Sequence, residues 1–481
     1  MKPRIALLLL IAGLTACTTA EDDRAITMSV IGGAPKFMDP AGNRLDPMGA
    51  LTMAATAQGL VALDASGGVV PALAERWIVT DDGLSVIFRI RRTTWSDGRE
   101  VTAKEVATSL TRAIKAQRGS TRLLASVGQI IAMTGQVIEV RLSSPQPTLL
   151  QSLAQPEMAI FRGRPSQGTG PYRLHSVRAG VTRFRLAPIM VEGTAAKVNE
   201  RDDVRVRGET ASLAIARFVA GDSVLVTGGN FATLPYASAA RVNANEFRVD
   251  PSYGLFGLAV IANGAVPDNQ PTRRALAMAI DRDRLVQRFG VNRWHAVATL
   301  LPAQFDGMNL PAGLEWVAKP LAERRALARA ALANQSALPP LRVALPAGPG
   351  ARLLFASLAA DWAAVGVSAR AVPLHAPADL VLIDEVAPQS AALWYFDRLS
   401  CARGVVCDPT VEAALAKAVA ATTIADRNTA LAEVDTAFAL HQGFIPLALP
   451  LRWSMAKASL TGWQPSGFAI HPLTQLRAPP S

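Results

Sequence analysis

Short alternating stretches and stretches of helical period succeed one another along the whole chain, so strands and helices are interleaved rather than segregated. Residues 25–31 alternate as a strand would and stop at Gly32-Gly33. Further on, Pro71-Ala72-Leu73-Ala74-Glu75-Arg76-Trp77 reads as a helix turn and Asp81-Asp82-Gly83 as a tight turn. Val86, Phe88 and Ile90 then alternate with Ile87, Arg89 and Arg91 as a strand. A second turn, Trp95-Ser96-Asp97-Gly98, precedes Thr102-Ala103-Lys104-Glu105. This is a capping box, in which Thr102 bonds forward to a free amide and Glu105 reaches back. Val106, Leu110, Ala113 and Ile114 line one face of the helix that follows.

The pattern predicts further strands over 137–142, 181–186, 223–227, 255–261, 341–345, 369–374, 380–383 and 444–449. Helices are predicted over 272–289, 321–333, 352–365, 411–421 and 425–441. Such mixing throughout means an α/β protein with more than one sheet. At 481 residues the chain exceeds what one core sustains, and two or three domains are expected.

The N-terminus adds a destination. Lys2 and Arg4 precede a short apolar run and then Leu14-Thr15-Ala16-Cys17, which is the form of a lipoprotein export signal. The run falls well short of the ~20 residues of a spanning helix. Cleavage after residue 16 leaves Cys17 to carry the lipid, with residues 17–24 as a tether. Several acyl chains, at ~0.8 kcal/mol per buried methylene, make a long-lived anchor. The protein is therefore expected outside the cytoplasm, periplasmic or at the cell surface, touching membrane through its lipid only. Thr18 after Cys17 favours outer-membrane sorting in a Gram-negative cell.

Net charge is +11, or +9 without Lys2 and Arg4, and the basic residues are scattered. No basic stripe interleaved with aromatics appears, which argues against nucleic acid as a partner. The five histidines (175, 295, 375, 441 and 471) lie far apart in no metal spacing, and each reads as a surface or capping residue. Neither a nucleophile elbow nor a phosphate loop is present, so no enzyme, no catalytic residue, no metal and no cofactor is expected. Besides Cys17 there remain Cys401 and Cys407. They form either a short disulfide, worth ~2 to 3 kcal/mol by chain entropy, or half of a metal site that still needs two ligands.

The block from Pro71 to Ser109, with Asp81-Asp82-Gly83, Phe88-Arg89-Ile90-Arg91 and Asp97-Gly98, resembles the extracellular solute-binding proteins of family 5. That family includes the oligopeptide-, dipeptide- and nickel-binding components of ABC importers. The likeness continues in order through Ser144-Pro145-Gln146-Pro147, Gly168-Thr169-Gly170-Pro171-Tyr172, Arg273-Arg274-Ala275-Leu276 and Ala279-Ile280-Asp281-Arg282. It ends with Phe444-Ile445-Pro446-Leu447 and Leu460-Thr461-Gly462-Trp463.

The resemblance implies a two-lobed, periplasmic-binding-protein-like (type II) α/β fold with an extra subdomain in its first lobe. The first lobe would be 25–48, 166–250 and 446–481, the subdomain 49–165 and the second lobe 251–445. It also implies a monomer, here anchored through Cys17, that encloses a small solute, with a short peptide first in line, and delivers it to ABC permease subunits. A nickel or other metal chelate, or another non-peptide solute, is the alternative, and a hydrolase or a structural envelope lipoprotein ranks behind both. Ligand contacts are implied at Gly228, Gly229, Asn230 and Phe231, at Tyr253 and Phe256 near the crossover, and at Trp394 with its neighbour Tyr395. Peptide binders of the family carry a tryptophan closely followed by an aspartate that meets the peptide ammonium. This chain departs from that pattern with Leu382-Ile383-Asp384-Glu385, leaving Asp384 or Glu385 to take over the charge. Cys401 and Cys407 resemble the short disulfide of some dipeptide binders.

Overall fold

Two sheets carry the fold, and the chain passes between them twice. The computed structural model describes residues 25–476 apart from 35–38, 41–44, 118–120, 164–166, 189, 192–193, 196–197, 263, 267–268, 303, 306–307, 311–313 and 407. The export signal, Cys17, the tether and Cys407 thus lie outside the described residues.

The first sheet has seven strands, in the order 247–250, 452–456, 225–230, 26–31, 204–209, 181–186 and 172–178. Ile26–Ile31 lies at its centre, parallel to both Val204–Glu209 and Leu225–Asn230. Met28, Val30 and Val206 turn into one buried layer with Phe184 and Leu225. The helix Ala211–Ala220 makes the crossover between the two outer parallel strands and stops at Gly221, whose φ of 80° no side chain opposes.

The second sheet has five strands, in the order 369–373, 341–345, 380–386, 254–260 and 444–448. Leu341–Leu345 runs parallel to Ala369–Pro373 and to Leu380–Val386, and the helix Pro349–Ala363 crosses between the first two. Gly254–Val260 is almost wholly buried because other strands flank it and helices cover it.

A third unit is a four-stranded antiparallel sheet, in the order 74–79, 85–90, 137–142 and 127–132, with the helix Ala103–Gln117 on one face. Val86, Phe88, Ile90, Ile138 and Val140 meet Val106, Leu110 and Ile114 there, as the alternating and helical periods require. The capping box forms: Glu105 N–H donates to Thr102 Oγ1 at 3.3 Å, and Thr102 N–H to Glu105 Oε2 at 3.2 Å.

Three sequence expectations are corrected. Residues 71–77 are not a helix turn but extended chain, in the strands Val69–Pro71 and Ala74–Val79. Pairing of Ala74–Val79 with Ser85–Ile90 outweighs the helix preference of Ala-Leu-Ala-Glu-Arg. The helix expected over 272–289 is two, Gln270–Ala279 and Arg282–Gln287, because the Asp281 carboxylate caps the second through Arg284 N–H at 3.1 Å. His441 is no surface residue. It is buried, and its ring Nδ1 and backbone carbonyl lie 3.0 Å and 2.9 Å from the Arg273 guanidinium.

The two lobes share one hydrophobic core at their junction. Phe231, Trp453 and Met455 from the first sheet's side join Phe256, Leu258, Leu276 and Trp362 from the second. The crossovers, residues 250–254 and 448–452, run beside this core. The lobes thus meet through packed side chains rather than being joined only by a loose linker. Among the described residues, no helix is long and apolar enough to cross a membrane.

Candidate functional site

Three parallel strands of the first lobe end side by side, at Ile31, Glu209 and Asn230. In open α/β sheets the crevice beyond such carboxyl ends is where ligands settle. Opposite stand the ends of Leu341–Leu345 and Leu380–Val386, and the start of the helix Pro349–Ala363 rests on the first lobe. There Gly350 N–H donates to the Ala232 carbonyl at 3.0 Å.

The segment 228–231 serves this junction directly. Gly228 and Gly229 are not a turn after the strand but part of Leu225–Asn230. Gly228 has a φ of 82°, and a Cβ on Gly229 would lie 2.2 Å from the Trp453 ring. That ring is in turn pinned by its Nε1–H, which donates to the Asn230 carbonyl at 3.0 Å. The Asn230 side-chain oxygen accepts from Ala232 N–H at 3.1 Å and Thr233 N–H at 3.3 Å, closing a local turn. Phe231 and Phe256, expected at the ligand, are core residues. Each is at most 1% exposed, and their rings meet edge to face at 4.9 Å. Alternation along a strand marks a face as covered without saying whether protein or ligand covers it.

Tyr253 and Trp394 fare differently. The Tyr253 backbone bridges both lobes: its N–H donates to Gly467 at 2.8 Å, and its carbonyl accepts from Ala387 N–H at 2.9 Å. The residue is 46% exposed, and its ring centroid lies 6.0 Å from that of Phe468. Trp394, half-buried, meets Tyr395 edge to face at 4.9 Å, and Tyr395 meets Phe305 at 5.5 Å. Burial pushes the Tyr395 hydroxyl above its ordinary value, and neighbouring Tyr253 adds to this. Tyr253 is thus exposed and Trp394 half-buried, whereas Tyr395 is buried in the second lobe's core with Phe305 and Phe396.

The two acids expected to receive a ligand's positive charge are both engaged by arginines. Arg452 donates from Nη1 to Asp384 Oδ1 at 2.7 Å and from Nη2 to the Asp384 carbonyl at 3.2 Å. Arg398 grips Glu385 in a two-pronged pair at 2.7 Å and 2.6 Å, and this bond holds the guanidinium above its ordinary value. Neither arginine was legible as a partner, since Arg452 follows Asp384 by 68 residues. Among the described residues, no three or more His, Cys, Asp or Glu side chains are grouped to hold a metal ion. Cys401 is disulfide-bonded.

The geometry agrees with what the chain is similar to. The Escherichia coli K12 protein described as "Probable ABC transporter periplasmic-binding protein SapA" is 24% identical over 462 residues, covering 82% of this chain and 81% of that one. A second protein of that strain, "Probable deoxycholate-binding periplasmic protein YgiS", is 26% identical over 328 residues. That match covers 60% of this chain and only 59% of the relative. Among solved structures, Haemophilus influenzae OppA in complex with RPPGFSPFR has a TM-score of 0.78 at 18% identity, over 94% of this chain and 98% of that one. The Escherichia coli murein tripeptide binding protein MppA has the same values. Brucella suis NikA in complex with Fe(III)-EDTA has a TM-score of 0.72 at 17% identity, over 90% of this chain and 96% of that one. These are transport binding proteins with the two-lobed fold, not enzymes. The model of the bacterial extracellular solute-binding proteins, family 5 Middle, matches residues 68–386, about two thirds of the chain, and by that match this chain belongs to that family of solute-binding proteins.

Proposed function

We propose that this chain is the lipid-anchored capture component of an ABC importer, shutting its lobes on a small solute and presenting the shut form to permease subunits. In this reading Cys17 carries the anchor, the protein is a monomer, and residues 25–48, 166–250 and 446–481, then 49–165, then 251–445 are the first lobe, its subdomain and the second lobe. The observation that carries it is the pair of sheets joined by two crossovers beside one shared core, a layout in which solute touches both walls only when they meet. Asn230, Tyr253 and Trp394 are the side chains that would meet it, while Gly228 and Gly229 shape the wall around them.

A short peptide is the first candidate solute, and OppA is a relative in fold that holds one. One feature favours the alternative of a metal chelate or other non-peptide solute. Asp384 and Glu385 already hold Arg452 and Arg398, so an ammonium would have to displace a guanidinium from a largely buried carboxylate.

Native mass spectrometry of the protein purified from its own cells tests both readings. A retained solute of defined mass supports capture, and its composition separates peptide from chelate. Complementary melting curves should rise with a short-peptide mixture, or with a divalent ion in a chelator-sensitive way, by RT ln(1 + [L]/Kd), about 2.7 kcal/mol at a hundredfold excess over Kd. No retained mass and no stabilisation by either panel would defeat the proposal.

A further inference from the structure

The four-stranded unit reaches past the hinge and holds the second lobe directly. Arg122, in the segment before strand Val127–Ala132, donates from Nη1 to Asp397 Oδ1 at 2.9 Å and from Nη2 to Glu412 Oε2 at 3.2 Å. Its backbone N–H donates to the other Asp397 oxygen at 3.2 Å. The adjoining Leu123 is 6% exposed and belongs to the second lobe's core, with Leu393 and Leu415. The receiving side is braced. The second Glu412 oxygen accepts from Cys401 N–H at 2.9 Å, and Cys401 is disulfide-bonded.

A second contact supports the first. Ser152 Oγ donates to Gln389 Oε1 at 3.0 Å and Gln155 Nε2 to the Pro388 carbonyl at 2.9 Å, reaching the loop after strand Leu380–Val386. The flanking chain that packs into this unit's core, through Leu60, Val61, Leu149, Leu153 and Ile160, ties it to the first lobe. Gln58 Nε2 donates to the Thr169 carbonyl at 2.8 Å, and Gly170 N–H to Thr56 at 3.1 Å. When the lobes part about residues 250–254 and 448–452, this unit travels with the first lobe, and its bonds to the second must break.

We infer that Arg122 and Leu123 are a latch: positioning residues that favour the shut form whether or not a solute is present. The inference rests on the capture reading only in taking the lobes to open and shut. Contacts made solely in the shut form raise its population, and apparent affinity for any solute scales with that population. The latch thus sets overall affinity, while the cleft chooses among solutes.

The test uses full-length protein, freed of copurifying solute by unfolding and refolding with the disulfide intact. Non-cysteine spin labels replace the exposed Ile78 of the four-stranded unit and the exposed Ile424 of the second lobe. Electron-resonance distance distributions then give the open and shut populations without solute. Wild type should show a shut population, and R122A should lower the shut-to-open ratio about tenfold. L123A should act in the same direction, with R122K in between, all three showing unaltered circular dichroism. A merely structural role for Arg122 would lower stability without moving this ratio. A wild type open throughout, or a ratio unmoved in both R122A and L123A, overturns the latch. Because the readout needs no solute, its failure leaves capture standing, and failure of capture in the mass spectrum leaves the latch standing.

Discussion

Replacing Asp384 with alanine asks whether that carboxylate serves the hinge or a ligand. Its side chain is 13% exposed and that of Arg452 19%, joined at 2.7 Å. Removing one member of a fully buried pair costs about 3–5 kcal/mol, because the surviving charge is left without a partner in a poor solvent. Here about a fifth of the Arg452 side chain reaches water, and its bonds to the Asp384 and Leu451 carbonyls survive the substitution. The expected loss is therefore smaller, about 2 kcal/mol. Urea unfolding followed by tryptophan fluorescence measures it, at constant slope. The double variant D384L/R452L should recover most of the loss, since replacing both charges by apolar groups is often close to neutral. Retained solute in native mass spectrometry should change little. If D384A instead keeps its stability within about 0.5 kcal/mol and loses the solute, the carboxylate belongs to the ligand and the hinge assignment is wrong.

Three further outcomes are expected. Burial pushes the Asp435 carboxyl up to about 6, above its ordinary 3.8, so the fold prefers it protonated and stability falls as pH rises from about 4 to 6; D435N should stabilise by about 2 kcal/mol at pH 7.5 and by nothing at pH 3, and an equal effect at both would refute the assignment. G229A drives a methyl into the Trp453 ring and should cost about 3 kcal/mol in thermal unfolding, whereas G135A, with open space around it, should cost at most about 1 kcal/mol; equal melting temperatures would contradict the packing. C17S should move the protein from the membrane to the soluble fraction on cell fractionation, and a variant that remains membrane-bound would remove Cys17 as the anchor.

Much of the scaffold was legible because its signal is local. The strands Val137–Leu142, Val181–Leu186 and Leu341–Leu345 and the helix Leu321–Ala333 end where their periodicity ends. Strand Val204–Glu209 was passed over although Val204 and Val206 alternate with Arg205 and Arg207, since arginines and a glycine dilute the apolar signal. At the junction, aromatic character alone does not separate the exposed Tyr253 and half-buried Trp394 from Phe231 and Phe256, which are buried in the core. Nothing in a strand's own sequence says whether another lobe or a solute lies against it.

By itself the sequence determined the class of elements, the capping box at Thr102 and the family. All of these depend on neighbours a few residues apart or on motifs in a fixed order. Only the tertiary structure decided which charges are spent on one another: Asp384 on Arg452, Glu385 on Arg398, and Arg122 on Asp397 and Glu412. A carboxylate's availability depends on what chain folding brings within about 3 Å of it. In a hinged protein that neighbour can come from the opposite lobe, hundreds of residues away along the chain.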